Sequence, residues 1–367
     1  MKNNVLLFTP GPLTTSRTTK EAMLSDVGSR DYLFIETVKN IRNGLLELAG
    51  VSKEQGYESI IIQGSGTFAV ESVLSSVIPE RGELLVLVNG AYGERMTQIA
   101  TIHKIKTHVL RFPENEIVNT ELVHHYLTDH PEITHVGIIH CETTTGIMNP
   151  VAEIGAICEA AGKFYIVDAM SSFGGVEMNA KDMKIDFLLS SSNKCIEGVP
   201  GFAFVICTSN QLHSAKGNAR TLTLDLYDQW EGLDKNGQFR FTPPTLAIMA
   251  FQQALNELKV EGGIKARNAR YRVNKELLDH GMIQLGFKHY LSPDLQGPII
   301  TSFLYPTSPS FDFEKFYALL NGRGLVIYPG KLSKEKAFRI GHIGQIFPND
   351  IQRLLDSVKE VKEMMGF

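Results

Sequence analysis

Short apolar runs alternate with amphipathic stretches between about residue 58 and residue 207. Seven of these runs are nearly continuous in apolar character, as expected of strands that are covered on both faces. They lie at 59–63, 84–88, 107–111, 135–140, 164–168, 186–191 and 202–207, and helical patterns lie between them at about 68–78, 92–103, 119–130 and 151–162. The alternation predicts βαβ units and an α/β domain built on a mostly parallel seven-stranded sheet.

The pattern changes after about residue 245. Two long helical stretches, 246–259 and 264–285, lead into strand patterns near 299–305, 325–328 and 337–340, and a helix at 350–365 closes the chain. This part predicts a second, smaller α+β domain. The length of 367 residues agrees with two domains, since a domain has roughly 150 residues.

The composition excludes several functional classes. Hydrophobic residues make up 43% and charged residues 21% of the chain, and the net charge of −4 opposes a general nucleic-acid or membrane surface. The apolar runs are far shorter than the roughly 20 residues of a membrane-spanning helix, and the N-terminus lacks a secretory pattern. We therefore expect a soluble, cytoplasmic protein with free thiols and with neither nucleic acid nor membrane as a partner.

Histidines are frequent in one part of the chain, at His124, His125, His130, His135 and His140. Neither an H-E-x-x-H motif nor a Cys/His ligand spacing occurs among them. Histidines on helix surfaces and at strand ends explain the cluster better than a metal site, so we expect no metal.

The first predicted strand of the sheet runs into the turn Gly64-Ser65-Gly66-Thr67, which opens a helix. Ligands of open parallel sheets bind beyond the carboxyl ends of the strands, and free amides at a helix N-terminus bind phosphate. The string also fits the dinucleotide motif G-x-G-x-x-A, but the next strand ends in Asn89-Gly90 instead of the acidic residue that binds a ribose. A phosphate-binding turn is the favoured interpretation, with a dinucleotide site and a plain tight turn as alternatives.

Two charged residues follow later strands of the same predicted sheet. Asp168 ends an apolar strand, and a buried carboxylate there needs a partner. Lys194 follows the next strand; serines and an asparagine precede it, and the segment Gly198-Val199-Pro200-Gly201 follows shortly after. These surroundings are not typical of a lysine on a solvated surface. A phosphate turn, a buried aspartate and a strand-end lysine together indicate pyridoxal 5′-phosphate (PLP), with the lysine as Schiff base and the aspartate at the pyridinium nitrogen.

These motifs resemble those of the class V, fold-type I PLP-dependent aminotransferases. The similarity extends over essentially the whole chain, through the strings LLFTPGPLTTS, GSGT, NGAYGER, HCETTTG, VDAMSS, SSNKCIEGVPG and AFRIGHIG. It implies a large PLP-binding domain over 16–255, a small C-terminal domain over 256–367, and an N-terminal segment, 1–15, that packs near the active site and the small domain.

The resemblance also implies a role for each matching residue. Lys194 is expected to be the Schiff-base lysine and general base, and Asp168 the partner of the pyridinium nitrogen. The remaining cofactor contacts implied are Ser65, Gly66, Thr67 and Asn193 at the phosphate, Tyr92 stacked on the ring, and Thr143 at the ring hydroxyl.

Three further residues are implied for the partner subunit and the substrate. Thr242, in FRFTPP, matches a residue that reaches the phosphate bound by the other subunit, which implies a homodimer with a shared active site. Arg339, in FRIG, is expected to bind the anionic end of the substrate, because a guanidinium offers paired donors to a carboxylate or phosphonate. Thr15 is a candidate for an additional substrate contact.

The opening and closing strings are most similar to the members of the family that transaminate 2-aminoethylphosphonate with pyruvate, giving phosphonoacetaldehyde and L-alanine. Alanine–glyoxylate/serine–pyruvate aminotransferase is the alternative. A cysteine desulfurase needs a nucleophilic cysteine in the C-terminal part, but the last cysteine is Cys207. A PLP-sensing regulator needs a DNA-binding module, for which the predicted fold leaves no room.

Overall fold

The computed structural model describes residues 5–367. Its strands are β1 (Leu6–Leu7), β2 (Tyr57–Gly64), β3 (Glu83–Val88), β4 (Lys106–Arg111), β5 (His135–Ile139), β6 (Cys141–Glu142), β7 (Ile147–Met148), β8 (Phe164–Asp168), β9 (Phe187–Ser191), β10 (Gly201–Thr208), β11 (Lys288–His289), β12 (Ile300–Leu304), β13 (Leu325–Val326), β14 (Tyr328–Pro329) and β15 (Ala337–Gly341). Its α-helices are α1 (Arg17–Glu21), α2 (Tyr32–Leu48), α3 (Gly66–Val77), α4 (Ala91–Ile102), α5 (Thr120–Asp129), α6 (Val151–Ala160), α7 (Ser209–Ser214), α8 (Leu226–Asn236), α9 (Thr245–Glu261), α10 (Gly263–Gln284), α11 (Phe313–Gly322) and α12 (Pro348–Met365).

The main sheet has seven strands in the order β2-β10-β9-β8-β5-β3-β4. Strand β10 runs antiparallel to both of its neighbours, and the other pairs are parallel. Every residue of β3, β5 and β9 is buried, because helices cover strands of this kind on both faces. The predicted mostly parallel seven-stranded sheet is confirmed, with one reversed strand.

The C-terminal part forms an antiparallel four-stranded sheet in the order β11-β12-β15-β14. A separate hydrophobic core, which includes Phe303, Phe316 and Phe338, joins this sheet to α11 and α12. The predicted smaller α+β part is confirmed. The single strand predicted at 325–328 is wrong, because β13 pairs with β1 whereas β14 pairs with β15; an apolar run alone does not specify its partner.

The N-terminal segment lies along this smaller sheet. Strand β1 is parallel to β13, the amide of Gly341 donates to the carbonyl of Phe8 at 2.9 Å, and the amide of Gln345 donates to that of Thr14 at 2.8 Å. The domain boundaries expected after residues 15 and 255 stay predictions, and residues 1–4 lie outside the described part of the chain. Among residues 5–367, no helix combines the length and the apolar character that a membrane crossing requires.

Candidate active site

A cavity of about 230 Å³ lies at the carboxyl ends of the central strands. Strands β2, β8 and β9 end at its wall, because parallel strands bring their carboxyl ends to one edge of a sheet. Eight of the residues predicted from the sequence line it: Ser65, Gly66, Thr67, Tyr92, Thr143, Asp168, Asn193 and Lys194. The structure therefore brings together residues that are up to 129 positions apart in the chain (194 − 65).

The turn between β2 and α3 forms one wall of the cavity. Ser65 is the N-cap of α3, but its side chain makes no capping hydrogen bond, so the first amides of the helix lack that acceptor. Gly64 has a φ of +111°, and a Cβ there would lie 2.6 Å from Cγ of Phe68. The turn therefore requires glycine at this position and presents the amides and hydroxyls of Ser65 and Thr67 as anion donors.

Asp168, at the end of β8, lies in the floor of the cavity. It is buried, and its Oδ1 accepts a hydrogen bond from the Met170 amide at 2.9 Å. Burial raises the pKa of Asp168 to about 7, and the neighbouring Glu142 adds to this effect, although the Met170 amide and Lys194 oppose it. A cationic partner placed against this carboxyl would stabilise its ionised form.

Lys194 follows β9 and lies against the N-terminal segment. Its Nζ donates to the carbonyl of Pro10 at 2.8 Å. Gly11 has a φ of +122°, and a Cβ there would lie 2.8 Å from Nζ of Lys194. Burial lowers the pKa of Lys194, and Tyr92 partly offsets this shift. The lowered pKa increases the neutral amine fraction, which is the nucleophilic and basic form.

A buried network holds the turn that carries Lys194. The amide of Glu197 donates to the Lys194 carbonyl at 2.7 Å. The Glu197 carboxylate, 1% exposed, accepts from Tyr271 Oη at 2.6 Å, Arg270 Nη2 at 2.8 Å and Gln345 Nε2 at 2.6 Å. Sequence reasoning missed this network, although Arg270 and Tyr271 stand together on a predicted helix.

Glu142 holds the start of the helix that carries Tyr92. It is fully buried, its Oε2 accepts from the Tyr92 amide at 3.1 Å, and its Oε1 accepts from Thr144 Oγ1 at 2.6 Å. Burial raises the pKa of Glu142, although these hydrogen bonds oppose the shift. The carboxyl therefore occupies the capping position of α4 and fixes Tyr92 relative to the ETTTG turn.

Cations surround the ring of Tyr92. The Arg95 guanidinium carbon lies 5.0 Å and Lys331 Nζ 5.5 Å from its centroid. Burial would raise the pKa of Tyr92, but Lys194, a hydrogen bond with Thr143, and the charges of Lys331 and Arg339 together outweigh burial, and the pKa is lowered. Arg95 also lines the cavity and donates to Thr67 Oγ1 at 3.3 Å. Sequence reasoning missed Arg95, although an i,i+3 spacing places it on the same helix face as Tyr92.

Arg339 lies on β15, outside the cavity lining but in contact with Thr143 of the cavity wall. Its side chain is buried, its Nε donates to the Pro329 carbonyl at 3.0 Å, and its Nη1 donates to the Thr143 carbonyl at 2.6 Å. Phe338 and Ile340 lie in the core of the smaller part, so the alternation of the strand directs Arg339 to the opposite face. Burial lowers the pKa of this guanidinium.

Besides Arg339, two predicted residues lie outside the cavity lining, Thr242 and Thr15. Thr242 is exposed in a surface hollow with Arg240 and Phe241, and its carbonyl accepts from Gln63 Nε2 at 3.4 Å. Thr15 is buried, and its carbonyl accepts from Lys20 Nζ at 3.0 Å. The roles expected for these two residues stay predictions.

The histidines include one compact group near the edge strand β4. Ligand atoms of His108, His130 and Glu132 lie within 4.8 Å of one another. His108 is hydrogen-bonded at both ring nitrogens, by Nε2 to Glu83 at 2.8 Å and by Nδ1 to Tyr126 at 3.1 Å. These contacts account for the His108 ring as part of a polar surface cluster, and the expectation of no metal stays a prediction.

Comparisons with known proteins agree with this site. The family model "Aminotransferase class-V" matches residues 16–340. A 2-aminoethylphosphonate–pyruvate transaminase of Phocaeicola vulgatus is 51% identical over 359 residues, which cover 97% of this chain and 98% of that protein. One of Bacillus cytotoxicus is 52% identical over 362 residues, which cover 98% and 99%. The solved pyridoxamine–pyruvate aminotransferase of Mesorhizobium loti, 24% identical, has the same fold, with a TM-score of 0.90 over 99% of this chain and 93% of that one. The chain therefore belongs to the class V aminotransferases, as its motifs predicted.

Proposed function

We propose that this chain transfers the amino group of 2-aminoethylphosphonate to pyruvate, giving phosphonoacetaldehyde and L-alanine. The observation that carries the proposal is the identity of 51% and 52%, over nearly the full length of both chains, to relatives that bear this activity as their name. Pyridoxal 5′-phosphate is the cofactor of the class V aminotransferases, so the cofactor prediction is confirmed.

The donor set of the cavity fits this cofactor. The uncapped start of α3, with the hydroxyls of Ser65 and Thr67, suits a phosphate dianion. Asp168 is a buried carboxyl with a pKa of about 7, and such a group suits a cationic ring nitrogen as partner. When bound, PLP supplies an electron-withdrawing ring that accepts the charge left when a proton leaves the substrate carbon.

The two charged residues at the strand ends take the chemical roles. Asp168 would hold the proton on the ring nitrogen, because its ionised carboxylate would gain a charge-assisted hydrogen bond there. Lys194 would bind the cofactor and would move the proton to and from the substrate carbon. Its lowered pKa favours both tasks, since each requires the neutral amine.

Arg339 binds the anionic end of both substrates. Its contacts with the carbonyls of Pro329 and Thr143 use two of its five N–H groups and fix the plane of the guanidinium. A fixed fork orients a carboxylate or phosphonate, and thereby the reacting amine or carbonyl at the other end of a small substrate.

The functional unit proposed here is a homodimer in which Thr242 contacts the phosphate bound by the partner subunit. Three apolar side chains support an interface beside the phosphate-binding turn: Phe68 is 50%, Phe241 41% and Leu246 36% exposed. Co-expressing a Lys194→Ala chain with a Thr242→Ala chain tests sharing. If the sites are shared, one site of the mixed dimer carries both substitutions and the other carries neither, so the mixed dimer regains activity. If they are not shared, each site carries one substitution and no activity is regained.

The expected domain boundaries and the cytoplasmic location are also part of the proposal. Separate hydrophobic cores on the main sheet and the smaller sheet support two domains, near 16–255 and 256–367. Four buried, free cysteines suit a reducing compartment. Limited proteolysis with fragment sequencing, and fractionation of the cells of origin, test these two statements.

The function is tested by following the absorbance of the cofactor in single half-reactions. Mixing the PLP form with 2-aminoethylphosphonate is expected to convert it into the pyridoxamine form, and pyruvate is expected to convert it back. L-Serine and glyoxylate serve as the competing pair. Rapid conversion by serine and glyoxylate, with no response to 2-aminoethylphosphonate, would instead identify an alanine–glyoxylate/serine–pyruvate aminotransferase.

A further inference from the structure

The segment 330–336, between β14 and β15, connects the smaller sheet to the wall of the active site. The Nζ atom of Lys331, near the start of the segment, lies 5.5 Å from the ring centroid of Tyr92. Tyr92 belongs to helix α4, which packs on the main sheet. Further along, the amide and the hydroxyl of Ser333 both donate to Oε2 of Glu114, each at 3.0 Å. The segment therefore contacts the large domain at two points, Glu114 and Tyr92, and Tyr92 lines the cofactor cavity.

Lys331 lies two residues after the end of β14, and Arg339 lies on the neighbouring strand β15, opposite Tyr328. Arg339 Nε donates to the carbonyl of Pro329, two residues before Lys331, and the amide of Gly330 donates to that of Ala337 at 3.0 Å. Both cations also act on Tyr92, whose pKa they help to lower. The two positive charges therefore both lie near Tyr92, which lines the cavity.

The two proposed substrates differ in the charge that the protein must balance. A carboxylate has one negative charge and two oxygens, which one guanidinium can match. A phosphonate has three oxygens and carries up to two negative charges. Arg339 supplies one positive charge, so a second cation is needed for the dianion and not for the carboxylate.

The two cations that line the cavity, Arg95 and Lys194, already have contacts that direct them elsewhere. Arg95 donates to Thr67 Oγ1 and so lies on the side of the phosphate-binding turn. Lys194 is held at the Pro10 carbonyl and is assigned to the chemistry. Lys331 has neither assignment, and its exposed position leaves it accessible to an incoming substrate.

We propose that Lys331 is the second cation of the substrate site and binds the phosphonate dianion together with Arg339. This assignment rests on the proposed function, since it concerns the recognition of 2-aminoethylphosphonate. Lys331 then acts in the half-reaction of the phosphonate and is dispensable in the half-reaction of pyruvate. The contact of Ser333 with Glu114 is the positioning element that keeps the segment over the cavity.

The test measures the two half-reactions separately in Lys331→Gln, which removes the charge and keeps a flexible polar side chain only one atom shorter. We expect the half-saturating concentration of 2-aminoethylphosphonate to rise about ten-fold or more, as for the loss of a charged hydrogen bond. The maximal rate and the half-saturating concentration of pyruvate are expected to change less than about three-fold. Lys331→Arg is expected to restore most of the affinity for the phosphonate.

Two further variants control the experiment. Lys334→Gln removes another exposed charge from the same segment and is expected to leave both half-reactions unchanged. Ser333→Ala loosens the attachment to Glu114 and is expected to weaken phosphonate binding in the same direction as Lys331→Gln, but less.

The outcomes separate this assignment from the proposed function. A wild-type enzyme that does not react with 2-aminoethylphosphonate overturns both. A wild type that reacts, combined with a Lys331→Gln variant that is unaffected or is weakened equally toward pyruvate, overturns only the assignment of Lys331.

Discussion

Replacing Glu197 by alanine is expected to destabilise the protein strongly, although this residue touches neither cofactor nor substrate. Its carboxylate is 1% exposed and accepts from Tyr271 at 2.6 Å, Arg270 at 2.8 Å and Gln345 at 2.6 Å. Breaking a buried ion pair from one side costs about 3–5 kcal/mol. Arg270 keeps a second carboxylate, Glu261, at 2.7 Å, so we expect the lower end, about 3 kcal/mol.

Urea unfolding of the cofactor-free chain measures this loss. Far-UV circular dichroism and the fluorescence of the single tryptophan, Trp230, should report the same transition, which checks two-state behaviour. Glu276→Ala is a matched control, because Glu276 is exposed on the same helix as Arg270, and we expect it to change the unfolding free energy by less than about 0.5 kcal/mol.

The reasoning about this network is refuted by a small effect. If Glu197→Ala loses less than about 1 kcal/mol, the size of a single ordinary hydrogen bond, then the three buried contacts do not hold the turn. In that case the position of Lys194 must be set by its contact with Pro10 and by the flanking strands instead.

Four other changes test individual residues. Lys194→Ala should abolish turnover while the chain still folds, and borohydride reduction of the wild type should attach the cofactor to Lys194; an adduct on another lysine contradicts the assignment. Asp168→Asn should keep some PLP and lose about ten- to hundred-fold in turnover, since a charged hydrogen bond of about 1.5–3 kcal/mol is lost; full activity would remove Asp168 from the mechanism. Arg339→Lys should slow both half-reactions because a lysine lacks the two-pronged donor, so an effect on pyruvate alone would place the phosphonate elsewhere. Burial lowers the pKa of His140 to about 4. Between about pH 6.5 and 4 the imidazole of His140 is therefore neutral in the folded chain but protonated in the unfolded chain. Stability should therefore fall as the pH falls from 6.5 to 4, and His140→Asn should reduce that slope by up to about 1.4 kcal/mol per pH unit; an unchanged slope would show that His140 is not responsible.

The main sheet and the strand-end residues were predictable because both depend on local pattern. Continuous apolar runs placed β8 and β9 to within one residue, and parallel strands then bring Asp168 and Lys194 to the same edge. The small residues after β2 indicated, for the same reason, a turn that opens a helix at the cavity. Local sequence therefore sufficed to place residues that lie at strand ends, while their binding roles stay predictions.

The remaining features depend on contacts that no local pattern specifies. Helices α1, α2, α7, α8 and α11 were not predicted. The reversal of β10 depends on its pairing with β2, in which Gly201 lies opposite Gly64, 137 positions earlier in the chain (201 − 64). The buried contacts of Glu197 join it to α10 and to Gln345, which is 148 positions away. A buried charge is recognisable in a sequence only when its partner is known, and the partner is set by the tertiary fold.

Product analysis is the most direct test of the central claim. The purified holoenzyme is incubated with 2-aminoethylphosphonate and pyruvate, and the phosphorus and proton NMR spectra are followed, with either substrate omitted as the control. The account predicts that phosphonoacetaldehyde and L-alanine appear in equal amounts and only when both substrates are present. Absence of phosphonoacetaldehyde, in an enzyme that does transfer the amino group of serine or alanine to glyoxylate, would contradict it.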